Sequence, residues 1–462
     1  MDVLLTHGYY LYEDPHELAV MKPYPPLGLL YVSSHLKSRG LSVDLFDTTF
    51  ARPADLEAHL RSTQPPVVGI YSNLMTRGAA LHAARVAKEV GSFVVLGGPD
   101  PANYLDEYLS RGADVVVIGE GEVTLEELLT RGTADLSQVH GIAYRDANGS
   151  IVRTEPRAMI ADLDAQPFPD RAAIDQHAYV RVWREHHGQG SVSLITARGC
   201  PFTCTWCSHA VFGYSHRRRS PANVVDEVQH IVDTYQPDLL WYADDVFTIN
   251  HKWLYEYAAQ LERRALKVPF ETISREDRLN EEVVQTLARM GCSRLWIGAE
   301  SGSQKVLDAM KRRTDAERVK SMVHLLQRYG ISVGMFIMLG YEGEERSDIE
   351  ETVAHLKAAG PDTFLTTVAY PIKGTPYYAA VEDRVVSHRA WEDGSDRDYG
   401  VLGRHSPRYY RFATRWMVSE VALQRALRRP SMRAYPGLAK TFMSAQVGRL
   451  GMLLTERERE LA

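Results

Sequence analysis

The run Ala197-Arg198-Gly199-Cys200-Pro201-Phe202-Thr203-Cys204-Thr205-Trp206-Cys207 contains three of the chain's four cysteines. Their spacing is C-x3-C-x2-C, and three thiolates on one short loop can ligate three irons of a cubane iron–sulfur cluster. The remaining cysteine, Cys292, lies far along the chain, so the fourth iron has no protein ligand and is open to a substrate or cofactor. The alternative is a zinc site, which normally needs four ligands, with His209 as the fourth.

Size and composition are those of an ordinary globular protein. The chain has 462 residues, of which 45% are hydrophobic and 24% charged, and this length suits roughly two or three domains with a large core. The net charge of −6 argues against broad nucleic-acid binding, which needs a basic surface. The one basic run, Arg217-Arg218-Arg219, is expected to form a solvated or anion-contacting turn.

Neither a targeting segment nor a membrane span is expected. The N-terminus lacks a basic start followed by an apolar stretch, and no apolar run approaches the ~18 residues that a span needs. One cysteine cluster and a lone cysteine make a disulfide framework unexpected. We therefore predict a cytoplasmic protein in a reduced compartment.

Residues 1–145 are predicted to form a Rossmann-like, doubly wound α/β domain. Apolar strands at 3–5, 43–46, 67–71, 93–98 and 115–119 alternate with helical segments, a pattern typical of a parallel sheet covered on both faces. A cofactor is expected at the carboxyl ends of these strands. The residues there are Ser72, Asn73, Gly97, Gly98 and Gly119. No G-x-G-x-x-G follows the first strand, so a nicotinamide or flavin dinucleotide is not favoured.

Residues 146–190 are predicted to be an irregular linker with a hairpin, because Asn148-Gly149 is a turn signal and three prolines follow. A second β/α series occupies residues 191–400, with strands at 192–197, 239–242, 270–274, 294–299, 333–339 and 364–370 and helices at 223–235, 281–290 and 315–329. Six units predict a partial (β/α)6 barrel, whose chemistry lies at the C-terminal ends of its strands. The cysteine loop follows the first of them. Residues 401–462 are expected to form a helical cap.

Segments at the predicted strand ends occur in a recognisable order. They are Tyr24-Pro25-Pro26-Leu27-Gly28-Leu29-Leu30, Gly97-Gly98-Pro99, Gly119-Glu120-Gly121-Glu122, Asp244-Asp245-Val246-Phe247-Thr248, Gly298-Ala299-Glu300-Ser301-Gly302-Ser303, Phe336-Ile337-Met338-Leu339-Gly340 and Tyr370-Pro371-Ile372-Lys373-Gly374-Thr375-Pro376. With the cysteine loop, they make residues 1–380 resemble radical S-adenosylmethionine (SAM) enzymes with an N-terminal cobalamin-binding-type domain. The resemblance implies a [4Fe–4S] cluster whose open iron chelates SAM. It also implies cleavage of SAM to a 5′-deoxyadenosyl radical that removes hydrogen from an unactivated C–H bond.

The resemblance also assigns roles to residues of the cysteine loop. Cys200, Cys204 and Cys207 resemble the metal ligands of the cluster. Trp206 matches the aromatic residue before the third cysteine, whose backbone lies near the adenine of SAM. These four residues are therefore expected to hold the cluster and one end of SAM.

Further SAM contacts are implied at the ends of the barrel strands. Asp244 or Asp245 would face the SAM amino group, and Arg275 would pair with the SAM carboxylate, which a guanidinium matches with two hydrogen bonds. Glu300, beside Ser301, would reach SAM from the fourth strand. The alternatives are that Asp245 caps a helix and that Glu300 is a structural ion-pair partner.

Cobalamin is implied less directly than SAM. Many B12 domains carry D-x-H-x-x-G, whose histidine ligates cobalt from below, and Asp2, His7 and Gly8 are wrongly spaced for that motif. Asp100 stands in Gly-Gly-Pro-Asp, where relatives often have histidine. The first domain either binds cobalamin without a histidine from that motif or has lost the cofactor and serves as a scaffold or lid.

Two radical reactions of a small-molecule substrate fit, with antibiotic or other natural-product biosynthesis as the expected setting. In one, methyl transfer from cobalamin modifies carbon or phosphorus. In the other, the substrate radical eliminates water, as in an aminoglycoside dehydratase that removes a hydroxyl of paromamine with a separate reductase. Oxidative cyclisation or rearrangement is a further outcome. Each needs an external flavodoxin- or ferredoxin-like electron donor.

Elimination also needs a base, and Tyr214, His209 and His216 flank the cysteine loop as candidates, unless they are ordinary surface or packing residues. Transfer RNA methylthiolation is not expected, because its N-terminal domain carries three cysteines and residues 1–199 contain none. A cobalamin-binding sensor is not expected either, because it would have no use for an intact cluster loop.

Overall fold

The computed structural model describes residues 1–395, 398–428 and 435–461. Contacts within the chain group them into two compact units. The first unit comprises residues 1–201, 208–244 and the described part of 389–398. The second comprises residues 202–207, 245–388 and the described part of 399–462.

The first unit contains the predicted Rossmann-like sheet. Its strands are β1 (Val3–His7), β2 (Val43–Phe46), β3 (Val67–Tyr71), β4 (Phe93–Gly97), β5 (Val115–Val117), β6 (Ile142–Arg145) and β7 (Ile151–Arg153). They lie in the order β2-β1-β3-β4-β5-β6-β7. Strands β1 to β5 are parallel, whereas β6 and β7 are antiparallel. The parallel strands lie where the apolar runs predicted them, which confirms the α/β fold class of this domain.

Helices cover both faces of this sheet. The covering helices are α2 (Leu27–Ser38), α3 (Pro53–Thr63), α4 (Arg77–Glu89), α5 (Leu105–Leu109) and α6 (Glu122–Arg131), whereas the short α1 (Pro15–Val20) has no buried residue. Successive strand residues point to opposite faces: Leu4 and Val94 pack in one apolar cluster with α3, α4 and α5, whereas Leu5 and Val95 pack in another with α2 and α6. Because both faces are covered, the carboxyl edge is the part of the sheet left for a ligand.

The region predicted as an irregular linker is more ordered than expected. Its hairpin is confirmed, since β6 and β7 are joined across the turn at Asn148-Gly149. However, helix α7 (Gln176–His187) follows, and the side chain of Asp175 caps its N-terminus. The buried side chains of this helix are Gln176, Tyr179, Val180 and Trp183. The preceding prolines hid this amphipathic pattern, and the prediction of irregular structure here is wrong.

The first unit also holds the start of the second β/α series. Strands β8 (Ser191–Leu194) and β11 (Leu239–Tyr242) are parallel neighbours, and α8 (Pro221–Tyr235) lies between them in the chain. The predicted strand 192–197 is interrupted, because β8 ends at Leu194. The short strand β9 (Ala197–Arg198) pairs antiparallel with β10 (Arg217–Arg218). This pair closes the base of the loop that contains the cysteines.

The second unit continues the series. Strands β12 (Phe270–Ser274), β13 (Cys292–Glu300), β14 (Ser332–Leu339) and β15 (Thr363–Val368) pair in parallel in that order. Their helices are α9 (His251–Arg263), α10 (Glu281–Met290), α11 (Gln304–Ala309), α12 (Ala316–Arg328), α13 (Arg346–Ala359) and α14 (Pro376–Val381). The six predicted β/α units of the partial barrel are therefore all present in the chain.

The C-terminal region is helical, as predicted, but a hairpin precedes the helices. Strands β16 (Val385–Ser387) and β17 (Tyr399–Val401) form an antiparallel pair. Helices α15 (Pro407–Arg428) and α16 (Tyr435–Thr455) then pack against each other. Among the described residues, no helix combines the length and the apolar character needed to cross a membrane.

Candidate functional site

Residues 202–207 of the cysteine loop are anchored through Thr205. Its backbone nitrogen and its hydroxyl both donate to the carbonyl of Met310, at 3.1 and 3.0 Å. Its carbonyl accepts from the backbone nitrogen of Tyr377 at 2.9 Å, and its hydroxyl lies 2.6 Å from that of Tyr341. These bonds fix the backbone at Thr205, between Cys204 and Trp206.

The donor set of the loop fits an iron–sulfur cluster. Cys204 is buried, Cys200 is half-buried and Cys207 is exposed, and none of the chain's cysteines, all of which are described, forms a disulfide. No group of three or more His, Cys, Asp and Glu side chains in the described part of the chain is already gathered around a single metal position. The fit therefore rests on the chemistry of the ligands, because soft thiolates closely spaced on one loop are what such a cluster requires.

Arg275 is held beside the buried cysteine. It follows β12, is 3% exposed, and donates through Nε to Asp277 at 2.9 Å and through Nη2 to the carbonyl of Arg312 at 3.0 Å. Its guanidinium also lies 3.9 Å from the ring centroid of Phe202. These contacts leave Nη1 directed at Sγ of Cys204, 3.9 Å away. Burial raises the pKa of the Cys204 thiol, and the guanidinium opposes that effect.

Glu300 ends β13 with an unusual backbone. Its φ is 63°, a left-handed value that is uncommon for any residue but glycine. The pairing of β13 with β14 shifts register between Gly298 and Glu300, a bulge that redirects the side chain. Burial raises the pKa of Glu300 to about 8, with Arg275 lowering it and Glu276 raising it. Strain and a raised pKa at a strand end are typical of a binding or catalytic carboxylate.

Glu276 is a buried acid that the sequence did not reveal. It is fully buried, and neither carboxyl oxygen makes a hydrogen bond of ordinary geometry with a described residue. Nη2 of Arg312 is 3.8 Å from it, and burial raises its pKa against the opposing effects of Thr314 and Arg275. Its sequence context, Arg275-Glu276-Asp277-Arg278, is typical of an exposed turn. No local signal therefore predicted a second acid beside Glu300.

The two members of the aspartate pair differ in their surroundings. Asp244 is buried and accepts from the backbone nitrogens of Thr196 and Ala197 and from Arg218, 2.7 Å away. It therefore stabilises the loop after β8 instead of facing open space. Asp245 is exposed, and the following helix α9 is capped by Asn250, so the capping alternative for Asp245 is wrong.

Buried ion pairs hold the base of the cysteine loop. Arg198 donates to Glu120 at 2.7 Å and to Glu122 at 2.6 Å, and Arg217 donates to the other oxygen of Glu120 at 2.8 Å. Glu120 and Glu122 belong to the Gly119-Glu120-Gly121-Glu122 motif after β5. This strand-end motif of the first domain therefore fixes the residues that lead into and out of the loop.

Of the two alternatives for the run Arg217-Arg218-Arg219, contact with anionic groups is confirmed and a solvated turn is wrong. Each of these side chains is largely buried and paired with a different carboxylate: Glu120, Asp244 and Glu227, respectively. All three partners lie outside the run in the sequence, so the run itself gave no sign of burial.

The three predicted acid–base residues lie in the part of the loop that follows the cysteines. The rings of His209 and Tyr214 stack with centroids 4.0 Å apart, and Tyr214 is 54% exposed. His216 is half-buried, and burial together with Arg218 lowers its pKa. His209 and Tyr214 therefore lie together, and burial favours the neutral form of His216, which is the form that a base needs.

Trp206 and Ser301 both serve local packing. Trp206 is partly buried against an apolar cluster that includes Met310, Tyr341 and Tyr377. The Ser301 hydroxyl lies 3.0 Å from that of Thr352 and accepts from the backbone nitrogen of Ser303. Ser301 thus holds the loop after Glu300 against helix α13.

In the first domain, the predicted cofactor residues Ser72 and Asn73 make internal hydrogen bonds. The Ser72 hydroxyl lies 2.9 Å from that of Tyr108, which donates to Asp100. Asp100 also forms a two-pronged ion pair with Arg77, whose Nε and Nη2 are both 2.8 Å from its oxygens. The Asn73 side chain accepts from the backbone two and three residues further on.

The glycines leave the strand edge open to a ligand. Gly97, Gly98 and Gly119 are half-exposed, and Gly98 and Gly119 have φ of 112° and 90°. A Cβ at Gly98 would lie 2.3 Å from the carbonyl of Ser72, so only glycine fits there. This edge fits cobalamin held through the backbone.

Two side chains of types that can ligate a metal, His7 and Asp100, have other partners. Nε2 of His7 lies 2.9 Å from Asp47, and its Nδ1 is 3.0 Å from the hydroxyl of Thr48. Asp100 is occupied by Arg77. Neither His7 nor Asp100 is therefore available as a lower ligand.

Family models match both halves of this architecture. The model of the radical SAM superfamily matches residues 194–356, and that of the B12 binding domain matches residues 19–129. The chain therefore contains a radical SAM domain and a B12-binding domain. Its cofactors are a [4Fe–4S] cluster and SAM, and its first domain is of the type that binds cobalamin.

Three curated relatives align over most of the chain. The uncharacterized methyltransferase PH0819 of Pyrococcus horikoshii is 29% identical, with 76% of this chain and 77% of that protein covered. The anaerobic magnesium-protoporphyrin IX monomethyl ester cyclase of Rubrivivax gelatinosus is 29% identical, with 78% and 66% covered. The cytidylyl-2-hydroxyethylphosphonate methyltransferase of Streptomyces wedmorensis is 27% identical, with 76% of each covered.

Two solved structures share the fold. The radical SAM methyltransferase TsrM from Kitasatospora setae, with cobalamin and a [4Fe–4S] cluster bound, has a TM-score of 0.71 at 20% identity, covering 85% of this chain and 78% of that one. The cobalamin-dependent SAM radical enzyme OxsB, with aqua-cobalamin bound, has a TM-score of 0.75 at 15% identity, covering 98% and 80%. At these identities, the likeness establishes the fold.

Proposed function

We propose that this enzyme methylates a carbon or phosphorus atom of a small molecule by radical chemistry, with cobalamin as the methyl carrier. The proposal rests on the grouping of Cys204, Arg275 and Glu300 at the strand ends, in a chain that also carries a B12-binding domain. Two relatives named as methyltransferases, one of them for a cytidylyl phosphonate, support this reaction.

When bound, the cluster and SAM supply a 5′-deoxyadenosyl radical for hydrogen abstraction. Cys200, Cys204 and Cys207 would hold three irons of the cluster. Nη1 of Arg275 would donate to the SAM carboxylate, because Nε and Nη2 already donate to Asp277 and to the carbonyl of Arg312. Glu300 is largely neutral at pH 7, given its pKa of about 8, and would release its proton on accepting hydrogen bonds from the SAM ammonium group.

Radical dehydration of a sugar-like substrate such as an aminoglycoside is the second candidate. It is favoured by carboxyl groups at strand ends whose pKa burial raises to about 8, Glu300 and Glu344, because elimination needs a proton acceptor and a proton donor. His209, Tyr214 and His216 are further candidates for the acceptor. This reaction would also require a separate reductase. The relative named as a cyclase adds oxidative cyclisation as a third outcome.

The working context follows from the cofactors. An exposed cluster ligand such as Cys207 needs reducing conditions, so we place the enzyme in the cytoplasm with a flavodoxin- or ferredoxin-like electron donor. Natural-product biosynthesis is the proposed setting. The proposed domains are the cobalamin-binding-type domain at 1–145, the connecting region at 146–190, the radical SAM partial barrel at 191–400 and the C-terminal cap at 401–462.

The test uses anaerobically purified, reconstituted protein, assayed for iron and cobalt and then given SAM with a deuterated methyl group and candidate substrates. Retained cobalt with a deuterated methyl group in the product supports methyl transfer. A dehydrated product without cobalt supports the second candidate. Absence of 5′-deoxyadenosine contradicts both.

Matched cysteine variants check the cluster assignment. Cys204→Ala should abolish 5′-deoxyadenosine formation, because it removes one cluster ligand. Cys292→Ala should retain it, because Cys292 is a buried packing residue of β13. Equal product formation in both variants would contradict the assignment.

A further inference from the structure

A buried polar cluster lies where β14 and β15 end. Its members are Glu344, Tyr377, Arg404, Tyr409 and Tyr410. Nη1 of Arg404 donates to the carbonyls of Gly340, which follows β14, and of Ala369, which follows β15. The carboxyl ends of barrel strands are where substrates are held in this architecture.

Glu344 is the central acid of the cluster. It is 8% exposed, and one of its oxygens accepts from the backbone nitrogen of Gly340 at 2.6 Å. The ring of Tyr410 lies over Gly340, where a Cβ would be 2.9 Å from its Cζ. Tyr410 interacts electrostatically with Glu344, Arg404 and Tyr409, so these groups share one environment. Asp348 and Lys305 are the other charged groups that act on Glu344.

The cluster has buried polar atoms that no described residue satisfies. They are Oε1 of Glu344, Nε of Arg404, and the hydroxyls of Tyr377 and Tyr409. Tyr377, Tyr409 and Glu344 are at least nine-tenths buried. Because buried polar groups are nearly always hydrogen-bonded, an acid oxygen, a cationic N–H and two phenolic hydroxyls together indicate a polar occupant.

The cluster is joined to the cysteine loop. The backbone nitrogen of Tyr377 donates to the carbonyl of Thr205, and its ring stacks on Tyr341 with centroids 4.8 Å apart. Tyr341 in turn shares a hydrogen bond with the Thr205 hydroxyl. The occupant would therefore lie near the residue that follows Cys204, as a substrate must.

We propose that this cluster is the recognition subsite for an amine-bearing, polyhydroxylated substrate. An ammonium group would bind Oε1 of Glu344, and ligand hydroxyls would accept from Nε of Arg404 and exchange hydrogen bonds with Tyr377 and Tyr409. An anion is disfavoured, because the one guanidinium of the cluster already donates to two carbonyls and stands beside a carboxyl. The inference rests on the proposed function only in naming the occupant as the substrate.

Saturation-transfer NMR on the full-length, reconstituted protein tests the subsite without turnover. The probes are paromamine, glucosamine and N-acetylglucosamine, which keeps the hydroxyls but lacks the charge. Both amines should bind, and N-acetylglucosamine should bind at least tenfold more weakly. Glu344→Gln should bind both amines at least tenfold more weakly than the wild type does. Glu342→Gln, which breaks a partly exposed ion pair with Arg384, should not.

Tyr409→Phe is a second variant, to be used if Glu344→Gln does not load iron. It should weaken the binding of both amines severalfold. The proposal is overturned by absence of binding of both amines, by equal binding of glucosamine and its acetylated form, or by unchanged affinity in Glu344→Gln or Tyr409→Phe. Amine binding through Glu344 in a protein that does not cleave SAM would instead contradict only the proposed function.

Discussion

Glu300 combines a left-handed backbone with a carboxyl that is hard to ionise. Its φ of 63° costs about 1 kcal/mol or more for a residue with a Cβ. The bulge between β13 and β14 imposes that conformation, and burial raises the pKa to about 8. Both costs are offset if a cation binds at this position. We therefore expect the binding of SAM to depend on Glu300.

The affinity for SAM should rise with pH through Glu300. Below its pKa of about 8 the carboxyl must lose a proton before it accepts from the ammonium group, so affinity should increase up to tenfold per unit between about pH 6 and pH 8. Glu300→Gln should bind SAM roughly 10- to 100-fold more weakly at pH 8 and lose this slope. Anaerobic calorimetry measures both, with the exposed Glu262→Gln as control. A wild-type slope in Glu300→Gln would show that another group titrates.

Glu276→Gln should stabilise the protein at high pH. A carboxyl whose pKa is raised on folding contributes stability below its unfolded pKa and loses it as pH rises toward the folded value. The free energy of unfolding of wild type should therefore fall relative to that of Glu276→Gln as the pH is raised from about 5 to about 8. Urea unfolding at both pH values, with Glu262→Gln alongside, measures the difference. Parallel pH profiles for wild type and Glu276→Gln would mean that Glu276 is satisfied by a partner.

At the scale of elements, the cysteine loop is closed by very little secondary structure. Strands β9 and β10 have two residues each, so their backbone pairing alone is too short to hold the loop. The buried pairs of Arg198 and Arg217 with Glu120 and Glu122 provide the rest. The closed conformation of the loop therefore depends on each of these charged side chains.

Glu120→Gln should destabilise the fold by about 3–5 kcal/mol, because it leaves Arg217 without a carboxylate in a buried site. Glu122→Gln should cost less, since Arg198 keeps its bond to Glu120. Urea unfolding and iron content after reconstitution distinguish the two variants. Equal losses in both would show that the network has no central member.

What could be predicted from the sequence is what depends on a local pattern of residues, and what could not is what depends on distant partners. Strands β1 to β5 and β11 to β15 were predictable, because continuous apolar runs are a local pattern. The burial of Glu276, Arg217 and Arg218 was not, because it depends on partners far away in the chain. For the site, the cysteines and Arg275 could be named from motifs. The polar cluster around Glu344 could not, since its members come from three separate stretches of the chain.

At the scale of the whole molecule, a late segment returns to the first unit. Residues 389–398, as far as described, belong with the N-terminal domain. Trp391 lies over Arg77, whose guanidinium is 4.4 Å from its ring centroid and donates to its carbonyl at 2.9 Å. Its ring also meets Tyr108 edge-on at 5.1 Å. The segment therefore completes the packing around the Arg77–Asp100 pair.

Trp391→Ala should loosen this part of the first unit. Loss of a half-buried indole should cost about 3 kcal/mol, the low end for truncating an aromatic residue, and the ion pair between Arg77 and Asp100 would become accessible to water. Hydrogen–deuterium exchange should then accelerate in residues 77–108. Phe442→Ala, at a 49% exposed position on α16, is the control and should leave that exchange unchanged. Equal protection of residues 77–108 in wild type and Trp391→Ala would show that the N-terminal domain is stable without the returning segment.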